Sequence, residues 1–311
     1  MRRLSLAMWA ASVWLQPLAA GSAGPQDGPP AARADGQRPT LRAGALTSLI
    51  LDGRLDDAAW AEAPDSIASL TMVEPREGGA PVARTVVPHV AGAIIFDLNV
   101  GDHRVRPDRA MGYAACAAAR PGPVEEGSVG AGTGATVGKL YGIERAMRGG
   151  LGVSRVERDG VVTAALMVVN AVGDVRDPVT GRLIAGARDA ADGRRLVDSA
   201  AAIESGTAPP GYRPVNTTVG VIATTAALGK AEAARVARMG LQGFERALSP
   251  PHLRTDGDAL FCLSVGDARA DLASLGRAAA EAVATAIARA VLCATGLPGL
   301  PAAREIEAQN S

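Results

Sequence analysis

Asn216-Thr217 opens the segment Asn216-Thr217-Thr218-Val219-Gly220-Val221-Ile222-Ala223-Thr224. A Pro/Gly loop, Thr207-Ala208-Pro209-Pro210-Gly211, there gives way to β-branched and apolar residues. Such a run predicts a buried strand, so a Thr hydroxyl stands at a loop-to-strand junction. Two readings are open. In the simpler one the pair is a turn Asn followed by the first strand residues. In the other it is a scissile bond: the Thr217 hydroxyl attacks the Asn216 carbonyl, and hydrolysis of the ester leaves Thr217 at a new N-terminus. The α-amine so created, with an unperturbed pKa of about 7.7–8.0, is a base beside its own hydroxyl.

Three other groups have types and spacing suited to such chemistry. Lys139 ends the Gly-rich run Gly127-Ser128-Val129-Gly130-Ala131-Gly132-Thr133-Gly134-Ala135-Thr136-Val137-Gly138-Lys139. Leu140 follows where a phosphate-binding loop needs Ser or Thr, and Thr133 stands where its first Gly belongs. The match of Gly130, Gly132 and Ala135 to a dinucleotide fingerprint lacks a preceding strand. The loop therefore reads as backbone that packs closely on another element and presents Lys139; in isolation that Lys is a solvated surface residue. Asn170 ends an apolar run, where it is a turn residue or an amide donor to an oxyanion. Asp256 and Asp258, two residues apart in an extended segment, project to one face and can share a proton or pair with a cation; alone, Asp256-Gly257-Asp258 is an ordinary turn.

The elements that must hold these groups follow from pattern. Residues 86–98 form an extended apolar segment containing Phe96, and 108–119 a short Ala-rich helix. Residues 152–157 and 161–169 make a hairpin turned at Asp159-Gly160. Residues 186–210 read as exposed and mobile. Then come a strand at 218–224, a helix at 230–248 stopped by Pro250-Pro251, a strand at 259–265 and a helix at 272–294.

Composition bounds the rest. The 311 residues, 48% hydrophobic with zero formal net charge, suffice for one or two globular domains and give no electrostatic case for nucleic acid. Three scattered Cys and three scattered His show no metal or disulfide pattern. Arg2-Arg3, an apolar stretch from 4 to 15 and small residues at 19–23 read as a signal peptide over 1–24, hence export to the periplasm or beyond. Residues 25–48 read as a disordered linker. Ile50-Leu51-Asp52-Gly53 with Trp60 resembles the start of a family-nine carbohydrate-binding-like module, and 49–86 is set off as a β-rich fragment.

Taken in order, Gly130 to Lys139, Val168-Val169-Asn170-Ala171-Val172-Gly173-Asp174, Asn216 to Thr224 and Asp256-Gly257-Asp258-Ala259-Leu260-Phe261 resemble the DmpA-type aminopeptidase and β-aminopeptidase family of N-terminal-nucleophile-like hydrolases, in particular its nylon-oligomer endohydrolase branch. The resemblance implies an α+β fold, an αββα sandwich over 87–296 with a tail at 297–311. It implies self-cleavage between Asn216 and Thr217, and Thr217, Lys139, Asn170, Asp256 and Asp258 as catalytic groups. It further implies a peptide or related amide substrate, no cofactor and a homo-oligomer of cleaved heterodimers. Phe96 stands in the substrate pocket where that branch has a Tyr, which removes a hydroxyl able to steady an oxyanion. The family's Gly-rich N-terminal strand–helix unit is missing, which leaves the sandwich incomplete at its N-terminal layer and one sheet face bare. The alternatives are an inactive exported protein with a glycan-binding or structural role and, on the Gly-rich loop alone, a nucleotide binder.

Overall fold

The computed structural model describes residues 92–209, 216–253 and 256–307. The expectations for 1–24, 25–48 and 49–86 lie outside the described residues. The helices are α1 (Arg109–Ala117), α2 (Ser199–Glu204), α3 (Lys230–Gly240), α4 (Gln242–Ala247), α5 (Leu272–Leu292) and α6 (Ala303–Glu307). The strands are β1 (Thr136–Val137), β2 (Met147–Arg148), β3 (Gly150–Arg158), β4 (Val161–Val169), β5 (Asp174–Arg176), β6 (Leu183–Ala185), β7 (Val219–Ala226), β8 (Leu248–Ser249) and β9 (Ala259–Ala268).

The central sheet has the order β3-β4-β7-β9, antiparallel except for the parallel β7–β9 pair. Asp159 and Gly160, both at positive φ, turn β3 into β4; Asp-Gly is the pair that tolerates such a hairpin turn. β9 returns parallel to β7 because α3 and α4 lie between them, as a parallel return needs a crossover.

Side chains alternate across the sheet, and the register sorts them into two faces. One face carries the rows Gly152–Met167–Gly220–Leu260 and Ser154–Ala165–Ile222–Cys262. α5, with Ala at nine of its positions, covers this face. A Cβ on Gly150 or Gly152 would drive into the carbonyls of Ala290 or Ala286, so helix and strand backbones lie in direct contact. This layer holds the main core, including Met167, Ile222, Phe244, Val283 and Ile287. The opposite face carries Leu151–Val168–Val219–Ala259 and Val153–Leu166–Val221–Phe261. Among the described residues a small cluster of Ala135, Leu151 and Val168, with Ile95 and Val129, forms there. Leu263 and Val265 on β9 are half exposed.

The described residues are thus α+β and build one β-layer and one α-layer of the expected sandwich. A smaller sheet, β6-β5-β8, stands beside it. Several local expectations change. Residues 92–98 form no strand. The expected single helix over 230–248 breaks at Leu241 into α3 and α4, between Gly240, which lies against Ile222 and Leu260, and Gly243, which lies against Val283; glycine is a poor helix former at both places. Residues 186–209 are not a loose segment: Ala187, Arg188 and Ser199 are buried. Arg188 donates to the carbonyls of Ala191, Gly193, Glu144 and Gly299. The buried Asp174 carboxylate accepts from Ala187 N, Ser199 N and Ser199 Oγ at 2.7–2.8 Å. The tail folds back as well, with Ala303 and Ile306 of α6 joining the main core.

Candidate active site

The Gly-rich loop ends in β1, and Gly138, at positive φ, lies so close to Gly186 that no side chain fits between them. Gly138 N and Lys139 N donate to Gly173 O and Val172 O. These bonds fix Lys139 beside the end of β4 and bury it to 5% exposure. Its Nζ donates to Asn170 Oδ1 at 2.7 Å and to Asn170 O at 3.2 Å. The surface reading of this Lys is therefore wrong. Burial lowers its pKa to about 7, against the pull of the Asp256 and Asp97 charges.

Asn170 organises the centre and is wholly buried. Its Oδ1 also accepts from Thr136 N, and its Nδ2 donates to Phe96 O at 3.0 Å. Its backbone carbonyl accepts from Thr217 N at 3.2 Å. Lys139 Nζ and Thr217 N therefore converge on one oxygen. Phe96 meets the site through that backbone carbonyl, while the residue as a whole is 42% exposed.

Asn216 and Thr217 are buried. Asn216 pairs with Asp256 in a parallel bridge that continues the β7–β9 ladder toward the site. Gly257 N donates to Asn216 O at 2.8 Å. The Asn216 side-chain Oδ1 and Nδ2 find no partner among the described residues. Asp258 Oδ1 accepts from Thr218 N at 2.9 Å, and its Oδ2 is 2.8 Å from His252 Nδ1. Asp256 Oδ2 accepts from Leu253 N at 2.9 Å. Burial and then the Asp258 charge raise the Asp256 pKa to about 6, opposed by the Leu253 N–H, Lys139 and His252. The two carboxylates thus divide their work: Asp258 holds the residue after Thr217, and Asp256 is the electrostatic partner of Lys139.

All five sequence-derived polar residues, Thr217, Lys139, Asn170, Asp256 and Asp258, meet in one place, drawn from the residue after β4, the residues leading into β7 and β9, and the end of the Gly-rich loop. Two further members belong to it. His252, stacked on Phe244 with centroids 5.2 Å apart, braces Asp258; its signal was its position six residues before that Asp. Asp97 has a pKa raised by burial and lies near enough to Lys139 and Arg148 to feel both charges. It is the one acidic residue of the apolar run 86–98, and that contrast could have marked it. Among the described residues no group of His, Cys, Asp and Glu is arranged to hold a metal ion.

The arrangement is a buried hydroxyl beside an amine that exchanges its proton near neutrality, with carboxylates and backbone donors around a single peptide bond. That is equipment for acyl transfer. The sequence matches the model of peptidase family S58 over residues 58–304. An uncharacterized aminopeptidase of Mycobacterium leprae is 35% identical over 257 residues, covering 75% of this chain and 68% of that protein. The 6-aminohexanoate-oligomer endohydrolase of a Kocuria strain is 31% identical over 181 residues, covering 57% and 50%. Among solved structures, a Burkholderia β-aminopeptidase aligns with TM-score 0.42 and 25% identity, over 60% of this chain and 52% of that one. The L-aminopeptidase D-Ala-esterase/amidase of Ochrobactrum anthropi aligns with TM-score 0.44 and 19% identity, over 65% and 57%. The chain spans little more than half the length of these solved relatives. The chain belongs to peptidase family S58, which places it among hydrolases of peptide and related amide bonds.

Proposed function

We propose that the protein is a self-processing amidohydrolase of the aminopeptidase kind, with Thr217 as its nucleophile. The observation that carries the reading is the convergence of Lys139 Nζ and Thr217 N on Asn170 O beside the buried Asn216–Thr217 bond. In the processed chain the Thr217 α-amine takes the hydroxyl proton as Oγ1 attacks the substrate carbonyl. The C–N bond then breaks, and the same proton passes to the leaving amine. Water, deprotonated by the α-amine, hydrolyses the acyl-Thr217 ester. Lys139 places a cation, or at higher pH a neutral amine, beside the reacting atoms. Asp258 fixes the backbone at Thr218, Asp256 balances the Lys139 charge, and the unused Asn170 N–H is available to an oxyanion. The substrate is a short peptide or related amide, released from its N-terminal side. Export, read from residues 1–24, belongs to the same proposal, as does assembly of cleaved heterodimers into a homo-oligomer.

The test is hydrolysis of an aminoacyl p-nitroanilide series by wild type and Thr217→Ala. The reading expects the wild type to turn over at least one member and Thr217→Ala to lose all turnover; equal activity in the two would refute it. A second reading, an exported chain without amidase activity, is favoured by the sheet face that the described residues leave uncovered and by Phe96. Glycan binding by the whole chain with no turnover of any amide would support it.

A further inference from the structure

We propose that the backbone N–H of Gly257 is the oxyanion donor of the self-cleavage step, and that glycine at 257 is what lets the Thr217 hydroxyl stand beside the Asn216 carbonyl. The inference deepens the self-processing reading and rests on it.

The scissile peptide is held at both ends. Its oxygen, Asn216 O, accepts from Gly257 N at 2.8 Å, and its nitrogen, Thr217 N, donates to Asn170 O at 3.2 Å. The donor is itself pinned on both sides. Asp256 is tied to Leu253 N, and Asp258 to Thr218 N and His252. A donor that cannot move costs no reorganisation as charge develops on the carbonyl. The absent side chain matters as much. A Cβ at 257 would sit 2.9 Å from Thr217 Oγ1 and 3.7 Å from Asn216 O. The hydroxyl therefore occupies the space that any other residue would fill, on the same side as the carbonyl that it must attack. The buried amide of Asn216, without a partner among the described residues, adds a reason for the bond to break, because cleavage frees that side chain to reach water.

The step balances without any outside reagent but water. Oγ1 bonds to the Asn216 carbonyl carbon, and the C=O electron pair moves onto the oxygen held by Gly257 N–H. The hydroxyl proton passes to the Lys139 amine. The C–N bond then breaks, and Lys139 returns the proton to the Thr217 nitrogen, leaving an ester between Asn216 and Thr217. Water hydrolyses that ester to the Asn216 carboxylate and the free Thr217 hydroxyl and amine.

The Gly257–Asn216 bond also belongs to the Asn216–Asp256 bridge that extends the β7–β9 pairing, so the test must separate catalysis from pairing. Newly translated wild type, Gly257→Pro and Gly257→Ala are followed for splitting over time, and each substitution is melted in the Thr217→Ala background. Proline removes the donor, and splitting is expected to slow by about 10²–10³-fold. Alanine keeps the donor but displaces the hydroxyl, and about 10–100-fold slowing is expected. If the wild type splits and both folded variants split at its rate, whatever their melting temperatures, the Gly257 assignment is overturned. If the proline variant does not fold, the alanine variant decides, since its Cβ meets only a side chain that can rotate. A wild type that never splits refutes the self-processing reading itself, a result distinct from failure of the Gly257 assignment alone.

Discussion

The two faces of the β3-β4-β7-β9 sheet are built from equally apolar rows but meet different fates. Under α5, Met167, Ala165 and Ile222 are fully buried. On the other side, Val153, Leu166, Val221 and Phe261 form an unbroken apolar row of intermediate exposure. β4 reads Val161-Val162-Thr163-Ala164-Ala165-Leu166-Met167-Val168-Val169, a continuous apolar run rather than an alternation. Runs of that kind belong to strands covered on both sides. The sequence is therefore written for a two-sided sheet, and the described residues cover one side. Thr217 belongs to the barer side: carried back two residues from the start of β7, the alternation places it with Val219 and Val221.

Substitutions on the two faces should differ sharply in effect. The largest expected effect is on the covered face. Gly152→Val pushes a side chain into α5 where two backbones touch, and should cost about 3 kcal/mol or more in denaturant unfolding. A neutral result would mean that α5 does not lie there. Next is Asp174, which ties β5 to residues 187 and 199 on the α5 side. Asp174→Ala strands Ala187 N and Ser199 N and should lose about 1–3 kcal/mol. Its pKa, raised to about 7 mainly by burial, also has a sign. Between the unfolded carboxylate value near 4 and about 7 the folded state holds the extra proton, so this contribution is fully present below pH 4 and is lost as pH rises through 7. Urea midpoints measured from pH 4 to 8 should fall less in Asp174→Asn than in wild type. The smallest effect belongs to the bare face. Leu263→Ser, at 49% exposure, should change stability by no more than about 0.5 kcal/mol. A loss of 2 kcal/mol or more would show that the face is covered in solution.

Much of this was legible in the sequence, because it depends on local pattern. The β3–β4 hairpin follows from Asp159-Gly160, β7 from its β-branched run, β9 from its apolar run Ala259-Leu260-Phe261-Cys262-Leu263, and α5 from its near-helical apolar spacing. The site was legible as an ordered set of segments, each weak alone. What escaped depends on contacts far apart in the chain. The burial of Lys139 follows from Gly138 meeting Gly186 and from Val172 O, neither of which its neighbours reveal. The order in 186–209 comes from Asp174 and Arg188, which saturate backbone groups that composition alone leaves free. Gly257 was read as the turn between two acids; only the 2.8 Å bond to Asn216 O gives it another role.

One pH series bears on the site itself. In the proposed self-cleavage Lys139 accepts the Thr217 proton only when neutral, and its pKa is lowered to about 7. Self-cleavage should therefore be slow at pH 5, rise through pH 7 and level off above 8. Lys139→Met should slow it by about 10²–10⁴-fold and remove that rise.

The most direct measurement is intact mass and N-terminal sequencing of the purified wild-type chain after incubation at pH 8. Two fragments are expected, with masses that sum to the parent plus one water and the smaller beginning Thr217-Thr218-Val219, while Thr217→Ala remains whole. A wild-type chain still in one piece, or one split at any other bond, would contradict the self-processing reading.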